Sequence, residues 1–174
     1  MLNFEEADMQ DLIPPAEKIA AMLKNRRENV AVAESSTGGL VSAALLSVPG
    51  ASAYFIGGAV VYTLKARRAM LDVPDSAFAG IKSVTEEGAM ILARAARTRF
   101  AVTWSIAEIG ASGPTGNRYG DAAGHSCIAV AGPAERSLTV ETGSADRLAN
   151  MRTFAAAALN LLIQSMSSAI ADRG

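Results

Sequence analysis

A single cysteine, a single histidine and a single tryptophan stand among the 174 residues of this chain. With Cys127 alone, an internal disulfide framework is excluded, and the cytoplasm is the expected compartment. His125 and Cys127 form no spaced ligand cluster, so neither a metal nor a cofactor is expected. Neither sign of charge prevails: 16 Lys and Arg face 17 Asp and Glu, a net charge of -1. No basic face is implied, which argues against nucleic acid as a partner. No run reaches the ~18 uninterrupted apolar residues of a membrane span, so no membrane partner is expected. Residues 1–6 are acidic and lack a signal-peptide pattern. What is present is a globular composition, half hydrophobic and 19% charged, long enough for one domain with a real core over residues 1–174.

Residues 1–13 are acidic and weakly patterned, and are expected to form a flexible N-terminal extension. Pro14-Pro15 opens a helix, because proline is tolerated in the first turn. Residues 30–33 read as a buried strand, 40–46 as a helix and 53–62 as a long strand. Gly57-Gly58 within that strand signals a bulge or a close backbone approach. A short helix is expected over 65–71. A clear one follows to Phe100, with Thr85 as cap, Glu86 and Glu87 at its start, and Arg94, Arg97 and Arg99 towards its end. A strand over 101–109, a loop over 110–124, a hairpin of 126–131 with 136–141, and a helix over 146–170 complete the chain. Alternation of strands and helices, then a hairpin, predicts an α/β fold: a three-layer α/β/α sandwich with a mixed, partly parallel sheet.

Chemistry concentrates at three places. In Glu34-Ser35-Ser36-Thr37-Gly38-Gly39 an apolar strand stops at an acid and three hydroxyls, just before a helix. Such a turn suits a serine nucleophile beside free backbone N–H groups near Thr37, Gly38 and Gly39, or a bound phosphate. Taken alone it reads more simply as a helix cap supplied by Ser36 or Thr37. The second place is Gly110-Ala111-Ser112-Gly113-Pro114-Thr115-Gly116, continuing to Asp121, which fits a phosphate or ribose clamp as well as a surface loop. The third is Tyr62-Thr63-Leu64-Lys65-Ala66-Arg67-Arg68, which by itself reads as a solvated basic face. Glu34 and Glu108 both end strands. If those strands are parallel neighbours, the carboxylates share an edge of the sheet, where each is expected to satisfy a helix start or an arginine.

Together the three places are more specific than any one. Residues 33–39 resemble the signature of the CinA C-terminal family of nicotinamide-nucleotide amidases. The resemblance continues through 48–53, through the strand to Tyr62 and through 110–114, and covers roughly residues 14–170. It implies a metal-free hydrolysis of nicotinamide mononucleotide to nicotinate mononucleotide and ammonia by a serine, a tyrosine and a lysine. Ser35 and Tyr62 match the first two. Arg67 stands at the lysine position, and a guanidinium keeps its proton. Lys65, two residues away on a helix, is expected to point to another face. Ile109 and His125 also depart from the family pattern, each standing where a hydroxyl residue is usual.

The resemblance thus implies Ser35, Tyr62 and Arg67 as the catalytic set. Substrate contacts are expected from Glu34, Thr37, Gly38, Gly39, Gly110, Ser112, Gly113, Thr115 and Arg118. A nucleotide is the expected small-molecule partner, and a homo-oligomer the expected state, because the second domain that many family members carry has no counterpart within 174 residues. The alternatives are a catalytically silent pyridine-nucleotide-binding module and an amidase for a different carboxamide.

Overall fold

A computed structural model describes residues 9–171. Its five-stranded sheet has the order β2-β1-β3-β4-β5. These are β1 (Val30–Glu34), β2 (Phe55–Val60), β3 (Trp104–Ala111), β4 (His125–Ala131) and β5 (Arg136–Glu141). β1 runs parallel to both β2 and β3, while β4 and β5 are antiparallel additions, so the sheet is mixed. On one face lie α1 (Ile13–Arg26), α2 (Leu40–Ser47) and α5 (Arg147–Ala171); on the other lie α3 (Leu64–Leu71) and α4 (Glu86–Phe100). The arrangement is the three-layer sandwich that the alternating pattern predicts.

The period-2 alternation of the strands sorts the core into two halves. Val30, Val32, Trp104, Ile106, Ile128 and Val130 pack under α1, α2 and α5. Ala33, Ala107, Ile109, Cys127 and Ala129 face α4 and, being mostly small, let it lie close to the sheet. Local chemistry sets the helix ends. Pro14 and Pro15 occupy the first turn of α1. The Thr63 hydroxyl accepts from the Ala66 N–H at 3.1 Å to open α3, and the Thr85 hydroxyl accepts from Gly88 at 3.1 Å to open α4.

Several boundaries differ from the expected ones. The segment before α1 is not an extension throughout: residues 10–12 form a 3-10 turn, and Leu12 is only 2% exposed, held in the core beside α1 and α5. Residues 1–8 lie outside the described residues. The second strand begins at Phe55, after a 3-10 turn over Ala51–Ala53. Ala101 cannot start a strand because it closes α4 in a left-handed conformation, φ 51°. β3 instead starts at Trp104 and continues to Ala111, so Gly110 belongs to the strand and not to the loop. Gly57 and Gly58 answer to both expected readings: the β1–β2 register slips at Ile56, and a side chain on Gly58 would run into Ser42.

Candidate functional site

β1 and β3 are parallel neighbours, so Glu34 and Glu108 arrive at the same edge of the sheet, and both are fully buried. Each is committed to the turn between β1 and α2. The Glu34 carboxylate accepts from the backbone N–H groups of Gly39, Val41 and Ser42 at 2.9–3.0 Å, and from the Ser42 hydroxyl at 2.6 Å. It therefore satisfies the orphan donors of α2. Glu108 accepts from the Ser35 N–H at 3.2 Å, the Thr37 N–H at 3.0 Å and the Ser126 hydroxyl at 2.8 Å, and also holds the Ser36 hydroxyl. The Thr37 hydroxyl bridges the two acids, 2.8 Å from Glu34 and 3.2 Å from Glu108. Glu34 thus fills the expected role of satisfying a helix start, and Glu108 serves the turn that precedes the helix.

This network corrects the expected oxyanion donors. The Thr37 and Gly39 N–H groups point at carboxylates, and Gly38 donates to the Ser35 carbonyl at 3.3 Å. The turn holds Ser35 through its backbone and leaves its hydroxyl without a bond to any described residue.

Ser35 is 5% exposed, and that small surface opens on a cleft of about 480 Å³ at the carboxyl end of the parallel strands. Tyr62, Lys65, Arg67, Gly110 and Arg118 line the same cleft. A side bay of about 170 Å³ shares Tyr62, Gly110 and Asn117 with it, and adds Ser112, Gly113, Thr115 and Arg147 among others. Most of the expected site therefore converges. Ser35, Tyr62, Arg67, Gly110 and Arg118 meet in the cleft, and Ser112, Gly113 and Thr115 in the bay. Glu34, Thr37, Gly38 and Gly39 line neither. They are structural supports of the turn.

Lys65, Asn117 and Tyr119 also line the cleft, the last two within the stretch to Asp121 that fits either a clamp or a surface loop. Lys65 is exposed where Arg67 is buried, so the two take different faces of α3 as expected, yet both border the cleft. The amino-terminal end of α3 faces the cleft, so several first-turn residues reach it whatever their rotation about the axis. Asn117 builds the loop that brings Arg118 and Tyr119 across. Its side-chain carbonyl accepts from the N–H groups of Tyr119 at 2.9 Å and Asp121 at 3.1 Å. Lys82 then pins Asp121 to the connection before α4. Burial works to raise the Asp121 carboxyl, but its hydrogen bonds from Lys82 and Asn117 prevail and hold it below the ordinary carboxylate range. A sequence signal existed in the Asn117-to-Asp121 spacing, but nothing local says where the loop tip lands.

Arg67 is the most unusual group of the site. It is 6% exposed, its Nη1 donates to the Ser83 hydroxyl at 2.9 Å, and its carbon Cζ stands 5.4 Å from the centre of the Phe78 ring. Its Nε is buried without a partner, and no carboxylate among the described residues lies within ion-pair distance. Burial lowers the pKa of the guanidinium below its ordinary value, partly offset by Tyr119. It stays charged nonetheless. Among the described residues, no group of three or more His, Cys, Asp or Glu side chains is placed to hold a metal ion, and no helix is long and apolar enough to cross a membrane.

Comparison with known proteins gives a consistent result. Residues 13–166 match the model of the CinA C-terminal domain. A CinA-like protein of Anaeromyxobacter sp. (strain Fw109-5) is 38% identical over 144 residues, 83% of this chain and 35% of that protein. A CinA-like protein of Chloroherpeton thalassium is 34% identical over 160 residues, 90% of this chain and 38% of that protein. The chain thus spans little more than a third of the length of these relatives. The crystal structure of a competence/damage inducible protein from Agrobacterium tumefaciens superposes with a TM-score of 0.83 at 27% identity, covering 94% of this chain and 98% of that one. A CinA superfamily protein from Enterobacter cloacae gives 0.83 at 26%, over 95% and 98%.

Proposed function

The chain belongs to the CinA C-terminal domain family, and we propose that it hydrolyses the carboxamide of nicotinamide mononucleotide, with Ser35 as nucleophile. The observation that carries this reading is the convergence of Ser35, Tyr62 and three cations, Lys65, Arg67 and Arg118, on one cleft. In the proposed reaction the Ser35 oxygen attacks the carboxamide carbon. The C–N bond then breaks, the serine proton passes to the departing nitrogen, and ammonia leaves. An ester remains on Ser35; water adds to it, the ester bond breaks, and the proton returns to the serine.

The proton needs a carrier within the cleft. Arg67 cannot serve, because a guanidinium does not release its proton. A phenol or an amine can, which assigns the relay to Tyr62 with Lys65. Since the N–H groups of residues 37–39 are committed, the developing negative charge falls to the cations of the α3 wall and to Arg118, which also suit a phosphate. Glu34 and Glu108 keep the serine turn rigid, so that attack geometry need not be organised at each turnover.

A second reading, a nucleotide-binding module without turnover, has its own observation: the committed N–H groups and Arg67 leave the turn without the donors and base that a serine hydrolase uses. One assay separates the two. Purified protein is expected to release ammonia from nicotinamide mononucleotide. Heat of binding without ammonia would instead select the silent module.

A further inference from the structure

Beside the cleft, and separate from Ser35 and Tyr62, lies a second cavity of about 210 Å³. It exceeds the ~150 Å³ of an engineered cavity that admits benzene. Its walls are mainly apolar, with Val73, Pro74, Phe78 and Ile81 among them, and Tyr119 also lines it. Three charged side chains line it as well. Asp75 is paired with Arg68 at 3.1 Å, and Lys82 is paired with Asp121. The third, Arg67, has no acidic partner among the described residues, although it is more than nine-tenths buried.

Taking a guanidinium out of water without an opposing charge is costly, and stacking on Phe78 recovers only part of the loss. A cavity built around such a group repels a purely apolar guest and favours one that brings a single negative charge. The planar guanidinium adds a geometric preference for a group with two coplanar oxygens. We propose that this cavity is a binding site for a small aromatic carboxylate, with the ring between Val73, Phe78 and Ile81 and the carboxylate against Arg67. The site adjoins the cleft, sharing Leu64, Arg67, Ser83 and Tyr119 with it, and its existence does not depend on the deamidation reading.

Benzoate and its neutral analogue benzamide are the probes, titrated into the intact protein by ligand-observed NMR at neutral pH. Benzoate is expected to bind saturably, and benzamide about tenfold or more weakly, the difference made by one charge-assisted contact. Ile81→Trp, which fills the cavity from its wall, is expected to remove benzoate binding. Ser35→Ala is expected to leave it unchanged. Equal binding of the two probes, no binding of either, or benzoate affinity that survives Ile81→Trp overturns the proposal. The probe comparison on the intact protein needs no variant to fold. Loss of this site with ammonia release intact would leave the deamidation reading standing, and the reverse result would leave the site standing.

Discussion

On the β1–α2 side of the cleft every backbone N–H from Thr37 to Ser42 has a partner, four on the carboxylates of Glu34 and Glu108 and two on nearby carbonyls. On the α3 side the opposite holds: Arg67 is buried with one protein hydrogen bond and no counter-charge among the described residues, and Lys65 and Tyr119 stand exposed at the rim. A wall whose backbone donors are all satisfied serves to position; a wall with unmatched charge is suited to a ligand. The difference separates fold from chemistry within one cleft. Substitutions on the first wall, Ser35 apart, are therefore expected to lower stability, and those on the second to change binding and rate.

Glu34→Ala tests that division most severely. It strips the α2 start of an acceptor for three backbone N–H groups and two hydroxyls, all buried or partly so. A loss of about 3–5 kcal/mol in chemical denaturation is expected, at the scale of breaking a buried charged network. Gly58→Ala acts on the same wall from a distance, because the added methyl meets Ser42, which holds Glu34. A loss of about 1–3 kcal/mol is expected, the usual cost of overpacking. Arg67→Met is the contrasting case: stability within about 1 kcal/mol of the parent, or above it, since an unmatched buried charge is replaced by an apolar chain. A large destabilisation by Arg67→Met would break the comparison.

The smallest effect concerns pH. The folded-state pKa of Asp121 is depressed, so its contribution is present above the unfolded value of about 3.9 and is lost as pH falls through the lower folded value. Exchange protection of the amides of residues 117–121 is expected to drop in that acid window and to be unchanged between pH 5 and 7. Loss of protection already at pH 6 would show that another group holds the loop.

What the sequence revealed followed the range of each interaction. Thr85, Pro14-Pro15 and the alternation around Val30 and Ile106 act within a few residues, and those elements stand where they are expected. The turn at Ser35 was legible as a candidate site because acid, hydroxyls and glycines adjoin. The role of Glu108 was not, since it bonds Ser35 across 73 residues and depends on the pairing of β1 with β3 and on Ser126 of β4. Lys65 and Arg67 take different faces of α3, as their spacing predicts, one exposed and one buried; that both border the cleft depends on which way the end of the helix faces, for which no local signal exists. The Arg67 environment needs Phe78 and Ser83, both outside its own helix.

Steady-state ammonia release from nicotinamide mononucleotide, measured for the intact protein and for Ser35→Ala with nucleotide affinity followed by calorimetry, tests the central claim most directly. A drop of roughly 10³-fold or more in rate is expected, with affinity within about threefold, as for removal of a nucleophile from a formed site. Equal release by the two proteins would contradict the assignment of Ser35.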